Sequence, residues 1–116
     1  MAGPGGLWLS FINKSPLGFP NDGVVAINEP VNNKFTGDHL RQGVGKFETT
    51  PIEGTYIPGG AGTPDHITFT EDVGGVIHTY EADFIELTPG FFLTTKGKRK
   101  PGATAADDDW VGTHTT

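Results

Sequence analysis

The stretch HITFTEDVGGVIHTYEADFI, residues 66–85, decides the fold class. Residues 66–70 and 76–85 are rich in β-branched and aromatic side chains, and the turn residues Asp72-Val73-Gly74-Gly75 separate them. Paired glycines between two alternating apolar runs are typical of a β-hairpin. The stretch therefore predicts two neighbouring antiparallel strands.

The second of these strands has two chemically different faces, because successive residues of a strand point to opposite sides. One face carries Val76, His78, Tyr80, Ala82 and Phe84, and the other carries Ile77, Thr79, Glu81, Asp83 and Ile85. We expect the first face to point inward, since burying the unpaired carboxylates Glu81 and Asp83 would be costly. By the same logic Glu71 and Asp72 are expected to be solvated turn residues.

The rest of the chain repeats this strand-and-turn pattern. Short apolar segments lie between clusters of Gly, Pro, Asn and Asp, and no window shows helical spacing over two turns. The predicted strands are residues 7–12, 24–28, 34–40, 46–57 (one strand, or two that meet at Pro51), 66–70, 76–85, 91–95 and 110–116. The polar segment 96–109, basic and then acidic, is expected to be a mobile loop.

About eight evenly spaced strands predict an all-β protein with a single domain, residues 1–116. A small antiparallel up-and-down barrel fits this count, because closure removes exposed sheet edges. A β-sandwich is the alternative.

Composition excludes several classes of partner. The net charge of −6 disfavours binding to phosphate backbones, so no nucleic-acid partner is expected. The chain has no cysteine, which rules out disulfides and thiolate ligands. No run approaches the ~20 apolar residues of a membrane helix, so no membrane partner is expected. The first residues lack the pattern of a signal peptide, and a cytoplasmic location is the default expectation.

No catalytic or metal-binding motif is present in the sequence. The four histidines, His39, His66, His78 and His114, are far apart and form no His-x-His pair, so no metal site is expected. There is no Gly-x-Ser-x-Gly elbow, and the glycine-rich residues 58–62 lack the Lys-Ser/Thr of a phosphate loop. We therefore expect no cofactor.

Five short sequence motifs, spread over most of the chain, carry a resemblance to a known family of barrels. They are Gly6-Leu7-Trp8, Phe35-Thr36-Gly37, Pro51-Ile52-Glu53-Gly54-Thr55-Tyr56, Phe91-Phe92-Leu93-Thr94 and Asp108-Asp109-Trp110-Val111-Gly112. Together they resemble the avidin/streptavidin family of biotin-binding, calycin-type barrels. The resemblance implies a ligand inside the barrel, with Asn13 and Ser15 as polar contacts near the first strand.

The chain also differs from that family in its aromatic residues. The family's biotin site uses several tryptophans, whereas the fifth strand here has none and the seventh has Phe91 and Phe92. We therefore expect no tight binding of biotin.

The leading functional prediction is a non-catalytic, avidin-like or lipocalin-like barrel that binds a small hydrophobic ligand in its interior. The expected contacts are Trp8, Asn13, Ser15, Tyr56, His78, Tyr80, Phe91 and Trp110. One alternative is a barrel-type isomerase or cyclase that acts on a small hydrophobic substrate mainly by confinement. Another is a structural or interaction module whose barrel is filled by its own side chains. Association into a homo-oligomer is left open.

Overall fold

The computed structural model describes residues 4–12, 23–43, 46–102 and 108–115. This part of the chain forms eight strands and no helix. The strands are β1 (Gly6–Ile12), β2 (Gly23–Ile27), β3 (Lys34–Gly43), β4 (Lys46–Ile57), β5 (Asp65–Val73), β6 (Val76–Thr88), β7 (Phe91–Pro101) and β8 (Asp108–Thr115). Within the described ranges no segment forms a helix long and apolar enough to cross a membrane.

The eight strands close into a single antiparallel barrel. Each strand pairs with the next in sequence, and β8 pairs with β1 through contacts such as Leu9 with Thr113. The predicted up-and-down barrel is confirmed, and the sandwich alternative is wrong. Closure leaves no free strand edge along which another chain could add.

Several strand boundaries differ from the sequence prediction, and the open alternative for residues 46–57 is resolved as one strand. β4 runs without interruption through Pro51. β5 continues to Val73, so Glu71 lies in a strand and its expected place in the turn is wrong. β7 continues to Pro101 and β8 begins at Asp108, so the expected loop is wrong for residues 96–101 and 108–109. Residues 103–107 lie outside the described part of the chain.

The turn between β5 and β6 is only two residues long. Gly74 and Gly75 have φ angles of 61° and 89°, which L side chains rarely adopt and glycine adopts at no steric cost. The backbone N–H of Gly75 also donates to Asp72 Oδ1 at 2.8 Å. This tight turn fixes the register of the predicted hairpin and lets β5 extend to Val73.

The inward face of β6 largely agrees with the alternation in its sequence. Tyr80, Ala82 and Phe84 are buried and His78 is half-buried, while Glu81 is exposed. Val76, at the start of the strand, is 46% exposed, so its expected inward position is wrong. The first residue of a strand at a barrel rim has no neighbouring layer of side chains to cover it.

A β-bulge in β7 changes which of its side chains face inward. Thr95 pairs with Asp83 and Lys98 pairs with Glu81, so β7 carries one residue more than β6 over this interval. Because strand faces alternate with a period of two, one extra residue reverses the pattern. Arg99 consequently lies on the interior side, with its Cα opposite that of Tyr80.

Gly97 allows this bulge to lie against β8. A Cβ atom at this position would collide with the backbone carbonyl of Trp110. The close approach of β7 to Trp110 therefore depends on glycine, and it holds the bulge in place.

The barrel interior has two chemically distinct ends. We call the end at which β1, β3, β5 and β7 finish the polar end, and the opposite end the apolar end. The apolar end contains the packed rings of Trp8, Tyr56, Phe84 and Phe92, with the buried ring of His114 stacked on Trp8 at 5.0 Å. The polar end contains the buried polar side chains His39 and Glu71, beside Tyr80 and Trp110.

Candidate functional site

A buried carboxylate lies at the centre of the polar end. Glu71, on the inner face of β5, is only 2% exposed. Its Oε2 accepts a hydrogen bond from His39 Nδ1 at 3.0 Å, and its Oε1 accepts one from the Tyr80 hydroxyl at 2.7 Å. His78 Nδ1 lies 3.6 Å from the same Oε1. Side chains from β3, β5 and β6 thus converge on one carboxylate, and we call these four residues the Glu71 cluster.

The cluster keeps Glu71 ionised. Burial by itself would raise the pKa of this carboxyl, because a low-dielectric interior disfavours charge. The hydrogen bond and charge of His39, with the hydrogen bond from Tyr80 and the charge of His78, outweigh burial and lower the pKa. Glu71 is therefore a charged acceptor at neutral pH, with both oxygens engaged.

Tyr80 is held in its protonated form. Burial raises the pKa of its hydroxyl, and the negative charge and hydrogen bond of Glu71 raise it further. The Arg99 guanidinium, which hydrogen-bonds the same hydroxyl, opposes part of this rise in pKa. Tyr80 consequently acts as a hydrogen-bond donor to Glu71 at any physiological pH.

Trp110 adds a hydrogen-bond donor to this end of the barrel. Its ring is 2% exposed and meets Phe69 and Tyr80 edge-on, with centroid distances of 5.7 and 5.8 Å. Among the described residues, its buried Nε1 has no hydrogen-bond partner. A buried donor without an acceptor costs about 1–3 kcal/mol, so this atom is a point at which a ligand acceptor would be favoured.

The structure divides the predicted contact residues between the two ends. His78, Tyr80 and Trp110 come together at the polar end. Trp8 and Tyr56 lie at the apolar end, where each packs against Phe84.

Phe91 does not lie in the interior. It is 38% exposed on the outer surface, and the next residue, Phe92, is buried instead. The expected interior position of Phe91 is wrong, because the two neighbours must face opposite sides of β7. Asn13 and Ser15 lie outside the described residues.

Sequence reasoning missed three residues of this region, His39, Glu71 and Arg99. Glu71 continues the alternation of Ile67 and Phe69, so the period of two could have placed it inside. Glu71 was instead expected in a solvated turn, because an unpaired carboxylate is costly to bury. Arg99 had no such signal, because the bulge that turns it inward is not visible in the sequence.

The fold and this geometry define the class of the protein: an eight-stranded up-and-down β-barrel with a buried polar cluster at one end. Comparison with known proteins finds no family model that matches the chain and no curated protein that matches it. The resemblance to avidins is thus supported at the level of the closed eight-stranded antiparallel barrel. In the described ranges, no group of three or more His, Cys, Asp or Glu residues could hold a metal ion.

Proposed function

We propose that the protein binds a small molecule at the polar end of its barrel, with an oxygen of the ligand accepting hydrogen bonds from Trp110 and Arg99. The observation that carries the proposal is the buried indole Nε1 of Trp110, which has no acceptor within the described part of the chain. The indole of Trp8, by contrast, donates to the carbonyl of Pro4 at 2.8 Å. Small-molecule sites typically combine an apolar wall with a few such converging polar groups.

The hydrogen-bonding inventory of the region selects the chemistry of the ligand. Both oxygens of Glu71 already accept hydrogen bonds. The groups suited to a ligand are donors, the Trp110 indole and the Arg99 guanidinium, and donors favour a carboxylate or carbonyl oxygen. The buried rings of Phe69 and Trp110 supply the apolar surroundings, so we expect a small apolar molecule that carries one such oxygen group.

Two pKa shifts favour binding over acid–base catalysis. An efficient general acid or base has a pKa near the working pH. The pKa of Tyr80 is shifted upward and that of Glu71 downward, so both move away from neutrality. Tyr80 and Glu71 are therefore poorly suited to acid–base catalysis, and the isomerase or cyclase alternative ranks below a binding protein.

Nuclear magnetic resonance can test the proposal with an internal control. The chain has two tryptophans, so a ¹⁵N-labelled sample gives two indole N–H signals, which Trp110→Phe assigns. Benzoate, benzamide and benzene form a matched series of probes with a carboxylate, a carbonyl and no oxygen. We expect benzoate or benzamide to shift the Trp110 signal, benzene to have a much smaller effect, and the Trp8 signal to stay in place.

Two neighbouring residues of β7 provide matched variants. Arg99→Gln should weaken binding of the active probe by about tenfold or more, equivalent to ~1.4 kcal/mol. Lys100→Gln removes the same charge from an exposed neighbour and should have no effect. If no probe shifts the Trp110 signal, the proposal is wrong. The alternative of a structural or interaction module, whose barrel is filled by its own side chains, would then be favoured.

Biotin is a further probe for the same NMR titration. We expect no tight binding, because the fifth and seventh strands lack the tryptophans of the resembling family. A sub-nanomolar dissociation constant measured by calorimetry, more than about 12 kcal/mol of binding free energy, would contradict this expectation.

A further inference from the structure

A fixed negative charge lies next to the donors of the proposed site. Glu71 is ionised inside the barrel, where its side chain is 1% exposed. Its Oε1 accepts a hydrogen bond from the Tyr80 hydroxyl at 2.7 Å, and the Arg99 guanidinium donates to the oxygen of the same hydroxyl. The negative charge of Glu71 and the positive charge of Arg99 are therefore joined through a single hydroxyl group.

The positive charge of Arg99 is already compensated in the folded protein. Glu71 is one hydroxyl away, and the backbone register places Asp108 of β8 opposite Arg99. The neighbouring lysines of β7, Lys98 and Lys100, are exposed on the outer surface. The guanidinium can therefore donate hydrogen bonds to a ligand oxygen, but its charge is not available to offset a second anion.

The surroundings of Glu71 add no net positive charge at a pH where histidine is neutral. His39 and His78 contact Glu71, and an ordinary imidazole is neutral at about pH 8. Towards the end of β3, Arg41 lies opposite Glu48 of β4, so the formal charges of that pair cancel. A ligand in this region consequently meets hydrogen-bond donors in the presence of an uncancelled buried carboxylate.

A carboxylate and a neutral carbonyl would therefore bind differently to the same two donors. Both can accept hydrogen bonds from Trp110 and Arg99. A carboxylate, however, adds a second negative charge beside Glu71, and like charges in a buried site repel strongly. It also loses much more hydration on burial than a neutral carbonyl does.

We infer that Glu71 is a specificity-determining residue of the polar end, and that it selects ligands with a neutral carbonyl group, such as an amide or a ketone, over carboxylates. The inference rests on the proposed function, because it concerns a ligand held by the same donors. It assigns to Glu71 a role that does not require contact with the ligand, since the charge acts through the linkage of Tyr80 and Arg99.

Titration of the full chain at about pH 8 with benzamide and benzoate tests the inference, because these probes have similar shapes and different charges. The readout is the ratio of their dissociation constants, measured at the Trp110 indole signal. A general loosening of the site would affect both constants and leave this ratio in place. In the wild type we expect benzoate to bind about tenfold more weakly than benzamide, or weaker still.

Two glutamate variants form a matched pair for this ratio. Glu71→Gln preserves the shape of the side chain and removes its charge, so the preference for benzamide should fall by about tenfold or more. Glu53→Gln removes the same charge from an exposed position of β4 and should leave the ratio unchanged. Circular dichroism verifies that each variant is folded.

Arg99→Gln tests the same balance of charges in the opposite direction. Arg99 is half-buried, so its substitution should be tolerated even if Glu71→Gln does not fold. Benzamide would lose a hydrogen bond, whereas benzoate would lose both a hydrogen bond and a favourable charge. The preference for benzamide should therefore increase, and a decrease would contradict the inference.

The outcomes separate this inference from the proposed function. If neither probe shifts the Trp110 signal of the wild type, the proposed function fails and the inference fails with it. Two results would overturn the inference alone. The wild type could bind benzoate as tightly as benzamide or more tightly, or Glu71→Gln could show the same ratio as Glu53→Gln. In either case the polar end binds oxygen acceptors, but Glu71 does not select among them.

Discussion

The two ends of the barrel interior use the same residue types for different purposes. At the apolar end the Trp8 indole donates to Pro4, and its ring packs edge-on against Phe84 at 5.6 Å. At the polar end the Trp110 indole is equally buried, but no described residue accepts its hydrogen bond. The comparison teaches that burial alone does not distinguish core from site. The two indoles differ in whether their buried N–H has an acceptor; at the apolar end the atom without a described partner is the buried Nε2 of His114.

The two tyrosines repeat this contrast. Tyr56 donates to Asp65 Oδ2 at 3.0 Å, and that half-buried carboxylate also accepts from Gly59. Tyr80 donates to a fully buried carboxylate that His39 also contacts. The first arrangement ties a loop to the barrel, whereas the second places an ionised group among aromatic rings. We therefore expect stability to depend most on the apolar end and pH sensitivity to depend on the polar end.

The largest effect on stability is expected from Phe84→Ala at the apolar end. Phe84 is 2% exposed and its ring lies 5.6 to 6.3 Å from those of Trp8, Tyr56 and Phe92. Truncation should lower the free energy of unfolding by roughly 3–5 kcal/mol, since lost burial and a cavity both contribute. Urea denaturation measures this loss.

Ile77→Ala is the matched control for Phe84→Ala. Ile77 lies on the outer face of the same strand and is 50% exposed, so its truncation should cost about 1 kcal/mol or less. Equal losses for the two variants would mean that the apolar end is not the main source of stability.

The second effect is expected from Glu71→Gln at the polar end. The substitution preserves shape but replaces a charged acceptor of two hydrogen bonds with a neutral amide that can accept on one side only. A loss of about 1.5–3 kcal/mol at neutral pH is expected for weakened hydrogen bonds to a charged group. Glu53→Gln, at an exposed position of β4, should change stability by no more than about 0.5 kcal/mol.

The Glu71 effect should depend on pH in a defined direction. The pKa of Glu71 is lowered in the folded protein from the ordinary value of 4.5. Its ionised form therefore contributes stability that is present above pH 4.5 and is lost as the pH falls through the lower folded pKa. The difference in unfolding free energy between wild type and Glu71→Gln should shrink over that window. A difference that grows in acid would mean that the buried carboxyl is protonated in the native state.

The strands and most of the apolar core could be predicted from the sequence, because they follow a period of two that any half-buried strand must show. The inward positions of Tyr80, Ala82 and Phe84 needed only that period and the cost of burying carboxylates. The prediction for Phe91 is wrong because the sequence offers two adjacent phenylalanines, and the choice between them depends on the register set by the preceding turn at Pro89 and Gly90.

The polar end could be predicted only in part. His78 and Tyr80 were placed correctly, since they share the face of Phe84. Glu71 was not, because the same rule that kept Glu81 outside was applied to it, and its partners His39 and Tyr80 are on other strands. Pairing at a distance of 32 residues, between His39 and Glu71, is a property of the closed barrel and not of any local pattern.

A smaller effect is expected from Tyr56→Phe, which tests the tyrosine of the apolar end. Losing the hydrogen bond to Asp65 should cost about 0.5–1.5 kcal/mol, as for an ordinary hydrogen bond. Burial, the hydrogen bond to Asp65 and its charge raise the pKa of Tyr56 to about 12. Its contribution to stability is therefore complete below pH 10 and is lost as the pH rises through about 12. If the difference in unfolding free energy between wild type and Tyr56→Phe disappeared between pH 7 and 9, the raised pKa of Tyr56 would be contradicted.

The smallest effect on stability is expected from Glu81→Ala. This variant tests whether the exposed Glu81 and the buried Glu71 differ in their contribution to the free energy of unfolding. Glu81 and Glu71 are on neighbouring strands of the same hairpin, but Glu81 is exposed, and its Cα partner on β7 is Lys98. Lys98 already forms an ion pair with Asp109 at 2.6 Å, and exposed ion pairs contribute little. Removing Glu81 should therefore change the free energy of unfolding by no more than about 0.5 kcal/mol. Chemical denaturation alongside Glu71→Gln decides the matter. If Glu81→Ala is the more damaging change, the inward and outward faces of β6 have been assigned the wrong way round, and the polar end built on Tyr80 and His78 fails with them.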